Sequence, residues 1–226
     1  LFSATLPAEL ATAKDMCALL PCAEVFPGAT RFSERKGQPP YVEAYGEAQG
    51  DEKKLLGYVM LSTDITDTPA YSGKPVVTLI GMDITGHFVG VKVLKHSEPI
   101  LLLGIPESAL LNFNNQYIGK SVAQNIEVGQ SRPEENILGL DAISGATVTV
   151  IAQNQVMMTS GTNIARQVGI LAPTVRDAAK YVETRKSFTW DELVEQGSVQ
   201  RLLVKTEQVG LDPSSDPFIE LWFGDL

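Results

Sequence analysis

Short apolar runs predict β-strands in the first half of the chain. The clearest pair is 76–83 and 87–94, both rich in Val, Ile and Leu, with Lys92 on the expected solvent side of the second run. Between them lie residues 84–86, Ile-Thr-Gly, with glycine where a hairpin turn needs it. A third apolar run, 55–62, predicts another strand. Together these segments favour an antiparallel sheet.

Apolar residues spaced three to four apart predict helices at 7–20, 106–117, 147–168 and 190–196. The second helix opens with proline at its first position, and Thr189 is placed to cap the last one. We expect the third helix to bury one face, formed by Ile151, Val156, Met157, Ile164 and Val168.

The order of these elements predicts an α+β fold. An antiparallel, partly wrapped sheet with packed helices is expected over residues 24–170. Residues 1–23 and 171–226 are expected to be helical N- and C-terminal extensions. Strands and helices do not alternate regularly, which argues against a doubly wound nucleotide-binding fold.

Charge and cysteine content exclude several classes of function. Lys and Arg number 18 against 27 Asp and Glu, a net charge of -9, so we expect no contact with nucleic acid. Cys17 and Cys22, the only cysteines, are too few for an iron–sulfur cluster or a four-cysteine zinc site. They could form one disulfide in an oxidising compartment or stay as two thiols, and the sequence leaves both open. With two histidines as well, no metal site is predicted.

The chain begins at Leu1 rather than Met and ends in an apolar segment, 218–226. We therefore expect it to be a piece of a longer protein. Its own longest apolar stretches, such as 76–80 and 100–103, are far shorter than the ~18 residues a membrane helix needs.

The segment 139–149, GLDAISGATVT, leads directly into the third predicted helix. Ser144, Gly145 and Ala146 are small, so a bulky group could lie against the backbone, and Thr147 and Thr149 place hydroxyls at the helix start. Free N–H groups and the positive end of the helix dipole favour an anion such as phosphate there. An ordinary N-cap with a glycine turn would explain the same residues.

The string from Asp141 to Thr147, DAISGAT, resembles the flavinylation motif of the FMN-binding domain family. That family occurs in Na⁺-pumping and Rnf-type electron-transfer complexes. The resemblance implies that FMN is attached covalently through a phosphoester to Thr147 by a flavin transferase that uses FAD. It also implies that Asp141 is recognised by the transferase and that Ser144, Gly145 and Ala146 lie under the flavin.

Two further segments are candidates for contact with the flavin. His96-Ser-Glu98-Pro99-Ile100 resembles a loop that lies beside the flavin ring in this family, which implies ring contacts from His96 and Glu98. A strand-end loop or half a metal site would also explain His-x-Glu. In 71–74, YSGK, Tyr71 could stack on the ring and Lys74 could offset negative charge, although the segment is also an ordinary turn.

Three segments, 25–29, 70–75 and 94–100, resemble the NosR- and NirI-type regulators of nitrous-oxide respiration. This implies a periplasmic domain of an inner-membrane protein, with membrane and iron–sulfur portions in the same full-length chain. It also implies that the C-terminal extension leads toward a membrane segment of that chain. The implied role is to relay electrons in support of the expression, maturation or activity of nitrous-oxide reductase, including a part in transcription regulation. A non-redox sensor or scaffold without functional flavin is the alternative. No Ser-His-Asp set or P-loop is present, so we expect an electron-transfer domain rather than a stand-alone enzyme.

Overall fold

A computed structural model describes residues 10, 12–47, 54–102, 104–173 and 187–224. The chain divides into two compact units, Leu1–Val175 and Arg176–Leu226.

The first unit is built on a five-stranded antiparallel sheet in which consecutive strands are neighbours. Its strands are β1 (Arg31–Phe32), β2 (Val42–Gly46), β3 (Lys54–Leu61), β4 (Val77–Asp83) and β5 (Phe88–Lys95). The predicted hairpin is confirmed, with Ile80 opposite Val91 and Gly86 in the turn at φ +86°. The predicted α+β class with an antiparallel sheet is therefore confirmed.

The middle of the sheet is covered on both faces. Six of the seven residues of β4 are buried, and alternate ones enter two different apolar clusters. Ile80 and Met82 pack in one cluster with α4, whereas Val77 and Leu79 pack in the other with N-terminal residues. Burial on both faces explains why this strand appears in the sequence as a continuous apolar run rather than an alternating one.

The helices of this unit are α1 (Cys22–Val25), α2 (Pro99–Leu102), α3 (Glu107–Asn115) and α4 (Thr147–Gln167). Helices α3 and α4 confirm the helices predicted at 106–117 and 147–168. On α4, Val156, Met157 and Ile164 are buried as expected, but Ile151 is 53% exposed, so its predicted burial is wrong. Val150 takes the inward position in this turn.

Buried polar groups also hold α4 in place. The Gln153 side chain donates to the Thr78 hydroxyl at 3.1 Å and to the Asn114 side-chain oxygen at 2.9 Å. All three residues are buried, so these hydrogen bonds form in a region from which water is excluded. They connect α4 to β4 and α3.

A parallel pair of short strands precedes α4 and was not predicted. These are β6 (Asn125–Val128) and β7 (Ile137–Leu140). The chain between them passes through a short 3-10 turn and through Asn136, which has a left-handed φ of 57°. Buried Leu140 ends β7 directly before Asp141, so this pair delivers the motif segment to the start of α4.

The predicted helix at 7–20 is wrong for residues 12–20, which form turns and bends; 7–9 and 11 lie outside the described residues. A disulfide joins Cys17 to Cys22, and Pro21 lies between them, which does not favour a continuous helix. Met16 and Leu20 are buried in the cluster that covers the sheet. The described N-terminal residues are thus packed as part of the first unit. The division into a domain at 24–170 with extensions stays a prediction.

In the second unit, α5 (Trp190–Glu195) begins with the predicted cap at Thr189. It is followed by β8 (Val199–Val204) and β9 (Ile219–Gly224), which pair antiparallel. The expected helical extension is therefore wrong for these strands. Their β-branched and aromatic residues favour strand over helix, and Trp222 of β9 stacks edge-on against Trp190 at 5.3 Å.

Candidate cofactor site

The start of α4 is open to a ligand. Gly145 has a left-handed φ of +81°, and Ala146, the N-cap residue, offers no side-chain hydrogen bond to the helix. The backbone N–H groups of the first turn have no acceptor within the helix, and the helix dipole adds positive potential there. The 21-residue helix therefore presents an uncapped positive end.

Two threonines in this first turn lie in opposite environments. Thr147, the first residue of α4, is exposed, whereas Thr149 is buried to 1% exposure. In an α-helix two residues turn the side-chain direction by about 200°, so the two hydroxyls point to opposite sides. Of these two hydroxyls, that of Thr147 is the one accessible to a modifying reagent.

The Thr149 hydroxyl is hydrogen-bonded to Glu98, the last residue of the loop between β5 and α2. Glu98 is fully buried, and one carboxylate oxygen, Oε2, accepts from Thr149 Oγ1. The other, Oε1, accepts from the backbone N–H of Ser72 at 3.0 Å. The Glu98 backbone N–H in turn donates to Nδ1 of His96 at 3.3 Å.

A cleft of about 420 Å³ opens above this arrangement. It is lined by Tyr71, Pro99, Gly145, Ala146, Thr147, Val148 and Thr149. Tyr71 is 64% exposed and Val148 is 53% exposed, so apolar side chains face solvent next to the Thr147 hydroxyl. The cleft therefore combines apolar surface, suited to a flat aromatic ring, with an anion-binding helix end.

Other predicted site residues lie away from this cleft. The His96 side chain lines a different groove of about 290 Å³, next to Leu110 and Leu111. The Lys74 side chain is exposed and is not among the residues that line the cleft. Its backbone carbonyl accepts from Ala70 N at 3.0 Å and closes the turn that carries Tyr71.

Asp141 and Ser144 are also exposed and do not line the cleft. The Asp141 backbone is held by Gln116: its N–H donates to Gln116 Oε1 at 2.8 Å, and its carbonyl accepts from Gln116 Nε2 at 3.1 Å. The Asp141 side chain is exposed, and its carboxylate has no hydrogen-bond or ion-pair partner among the described residues. Ser144 lies in the turn that precedes Gly145.

Sequence reasoning missed three contributors to the site. Pro99 and Val148 line the cleft, and Ser72 supplies a backbone N–H to Glu98. Pro99 and Val148 fall inside the quoted motifs, but nothing in their residue types marks them as ligands. Within the part of the chain that the structure describes, no three His, Cys, Asp or Glu side chains are grouped as metal ligands.

Residues 71–158 match the FMN-binding domain family. This range contains every residue that lines the cleft, from Tyr71 to Thr149. The chain contains an FMN-binding domain. The predicted family resemblance is therefore confirmed, and FMN is the cofactor that this family indicates.

Curated relatives extend the match. The chain is 36% identical over 188 residues to the regulatory protein NosR of Stutzerimonas stutzeri, covering 81% of this chain and 25% of that protein. It is 26% identical over 180 residues to the protein NirI of Paracoccus denitrificans, covering 76% of this chain and 25% of that protein. It is 29% identical over 128 residues to one component of the Na⁺-translocating ferredoxin:NAD⁺ oxidoreductase complex of Acetobacterium woodii, covering 56% of this chain and 55% of that protein. The chain spans about a quarter of the length of the first two relatives.

The residues present fit FMN. The flat flavin ring requires apolar surface, which Tyr71, Pro99 and Val148 provide, and the phosphate requires hydrogen-bond donors, which the first turn of α4 provides.

Among the described residues, no helix is both long and apolar enough to cross a bilayer.

Proposed function

We propose that this chain is the periplasmic flavin domain of a membrane-bound, NosR-like protein and that it carries FMN covalently on Thr147. One observation supports this proposal above all others: an exposed threonine hydroxyl starts an uncapped helix at the edge of a cleft with apolar walls. The match of residues 71–158 to the FMN-binding domain family supports FMN as the ligand of that cleft.

Attachment would proceed from FAD on a flavin transferase. Oxygen Oγ1 of Thr147 forms a bond to the phosphorus of the FMN half of FAD, and the phosphorus–oxygen bond to the AMP half breaks. AMP leaves, and the hydroxyl proton passes to the transferase or to water. The phosphodiester that remains carries one negative charge, which the N–H groups and dipole of α4 stabilise. Asp141, exposed six residues upstream, is available for recognition by the transferase.

When bound, the flavin supplies transfer of one or two electrons, and the protein supplies position and surroundings. Tyr71, Pro99 and Val148 would exclude water from one side of the ring, while the open side of the cleft would leave it accessible to a partner. A covalent tether keeps the flavin from diffusing away from such an open site. Once FMN is attached, Thr147 is only its attachment point and takes no part in proton transfer during the redox reaction.

The relatives named NosR and NirI support a wider role in nitrous-oxide respiration. In this proposal the domain relays electrons between the membrane and iron–sulfur portions of its own full-length chain and the nitrous-oxide reductase system. The Cys17–Cys22 disulfide supports a periplasmic location, because disulfides persist in oxidising compartments and are rare in the cytosol.

The test is to co-express the exported chain with a flavin transferase and to measure its intact mass and visible spectrum. We expect a mass increase of one FMN phosphodiester and a flavin band that bleaches on reduction and returns in air. An unmodified mass in the presence of active transferase would contradict the proposal. A flavin that cannot be reduced reversibly would favour the non-redox scaffold instead.

The compartment is tested in cells that express the full-length protein. Alkylation of Cys17 and Cys22 with a membrane-impermeant reagent, before and after reduction, reports both their oxidation and their side of the membrane. We expect modification of intact cells with a permeabilised outer membrane, and only after reduction. Modification restricted to lysed cells would contradict a periplasmic location.

A further inference from the structure

Glu98 connects three segments that are distant in sequence. It belongs to the loop after β5, its Oε1 accepts from Ser72 N–H in the turn before β4, and its Oε2 accepts from Thr149 in α4. The sequence separations are 26 and 51 residues. A single carboxylate thus holds together a turn, a loop and the first turn of a helix.

This carboxylate is fully buried, so it is stable only if both its oxygens are satisfied. An ionised carboxylate accepts at both oxygens, and the two donors found here match that requirement. Hydrogen bonds to a charged acceptor are stronger than those between neutral groups, and the positive end of α4 adds a further favourable interaction. The three segments are therefore held together strongly at this point.

Each contact point lies next to a wall of the cleft. Ser72 follows Tyr71, Glu98 precedes Pro99, and Thr149 follows Thr147 and Val148. The Glu98 side chain itself is not among the residues that line the cleft. Glu98 therefore holds together the segments that form the walls of the cleft, although its own side chain does not line the cleft.

We propose that Glu98 is a positioning residue that, through Thr149 and the Ser72 N–H, holds the walls of the cleft in the arrangement that FMN attachment at Thr147 requires. The effect on FMN attachment rests on the proposed function. The two hydrogen bonds of the Glu98 carboxylate, to Thr149 and to the Ser72 N–H, form a clamp that is present in the protein without flavin. The first readout is therefore independent of flavin, and the second measures attachment.

Three variants isolate the two hydrogen bonds. Thr149→Val removes the hydroxyl donor while keeping the side-chain volume, and Thr149→Ser keeps a hydroxyl at the same position. Glu98→Gln removes the carboxylate charge while keeping the shape of the side chain. Thr162→Val is the matched control, because Thr162 lies on the same helix. Among the described residues, its hydroxyl bonds only to backbone carbonyls of α4, that of Met158 at 2.6 Å and that of Thr159 at 3.3 Å.

The first readout is amide hydrogen exchange of the unflavinylated chain. We expect the Ser72 amide to exchange about tenfold faster in Thr149→Val and Glu98→Gln, because a hydrogen bond to a charged group is weakened or lost. Thr149→Ser and Thr162→Val should match the wild type. Unchanged exchange at Ser72 in both altered variants would overturn the clamp. If Thr149→Val does not fold, Glu98→Gln alone decides.

The second readout is the rate of flavinylation by the transferase, followed by intact mass. We expect Thr149→Val and Glu98→Gln to be slowed about tenfold and Thr149→Ser to recover the wild-type rate. The double variant Glu98→Gln/Thr149→Val should be no slower than the slower single variant, because the pair acts as one unit. Wild-type rates in both single variants would overturn the positioning role.

The two proposals fail in different ways. If the wild-type chain takes up no covalent FMN, the proposed function fails, and the exchange of the Ser72 amide alone decides whether the clamp exists. If the wild type is flavinylated and the variants match it, the proposed function stands and the positioning role of Glu98 is wrong.

Discussion

The two sides of the first turn of α4 contain the same residue type in opposite settings. On the outer side, Thr147 and Val148 face an open cleft together with Tyr71. On the inner side, Thr149 also borders the cleft, but it is buried, and its hydroxyl donates to the buried carboxylate of Glu98. Helical geometry alone separates the two hydroxyls, and it leaves one accessible for modification and the other committed to holding the structure. A motif with two threonines thus divides into an attachment point and a support.

The largest expected effect is that of Thr147→Ala. Because only the outer hydroxyl is accessible, this variant should lose all covalent FMN when co-expressed with the transferase. Thr147 makes no capping hydrogen bond, so the free energy of unfolding should change by less than about 0.5 kcal/mol. Intact mass and denaturant unfolding measure the two quantities.

The control for this variant is Thr147→Ser, which keeps a hydroxyl at the same point and should remain flavinylated. Covalent FMN on Thr147→Ala would show that another residue accepts the flavin and would remove the contrast between the two sides of the turn.

A smaller effect is expected at Gly145, whose left-handed conformation directs the chain into α4. Gly145→Ala should lower the free energy of unfolding by about 1 kcal/mol, because a side chain disfavours this conformation. It should also slow flavinylation about tenfold, because a shift of the turn by a fraction of an ångström moves Thr147 relative to the transferase.

Gly169 provides the matched control at the other end of α4. It has nearly the same φ, +80° against +81°, and a Cβ there would meet nothing within 4 Å. Gly169→Ala should cost a similar stability and leave flavinylation unchanged. Equal slowing in both variants would mean that stability, rather than the local geometry of the outer side, limits attachment.

The smallest effect concerns the wall opposite α4. Tyr71→Ala should weaken the visible circular dichroism of attached FMN, because loss of an aromatic contact worth about 1 kcal/mol leaves the ring less fixed. Tyr71→Phe keeps the aromatic ring and should preserve the signal. Identical spectra for wild type and Tyr71→Ala would remove Tyr71 from the outer wall of the site.

The features that were predicted from sequence are those encoded locally. Apolar runs and a glycine turn predicted the β4–β5 hairpin, and helical spacing predicted α4. The motif that ends at Thr147 indicated the family because its residues are consecutive in the chain.

The features that were missed depend on contacts between distant residues. Burial of Glu98 depends on Ser72 and Thr149, which are 26 and 51 residues away, and no local pattern reports such a pairing. The parallel pair β6 and β7 was missed because each strand has only four residues and β6 lies within a polar segment. The pairing of β8 with β9 joins strands separated by a polar, proline-containing segment, so the helix before them suggested a helical extension.

Peptide-level mass spectrometry of the flavinylated chain tests the central claim most directly. After proteolysis, fragmentation of the peptide that contains residues 139–149 assigns the FMN phosphodiester to one side chain. We expect all of the flavin on Thr147 and none on Thr149. Flavin on Thr149, or on any residue outside this peptide, would contradict that claim.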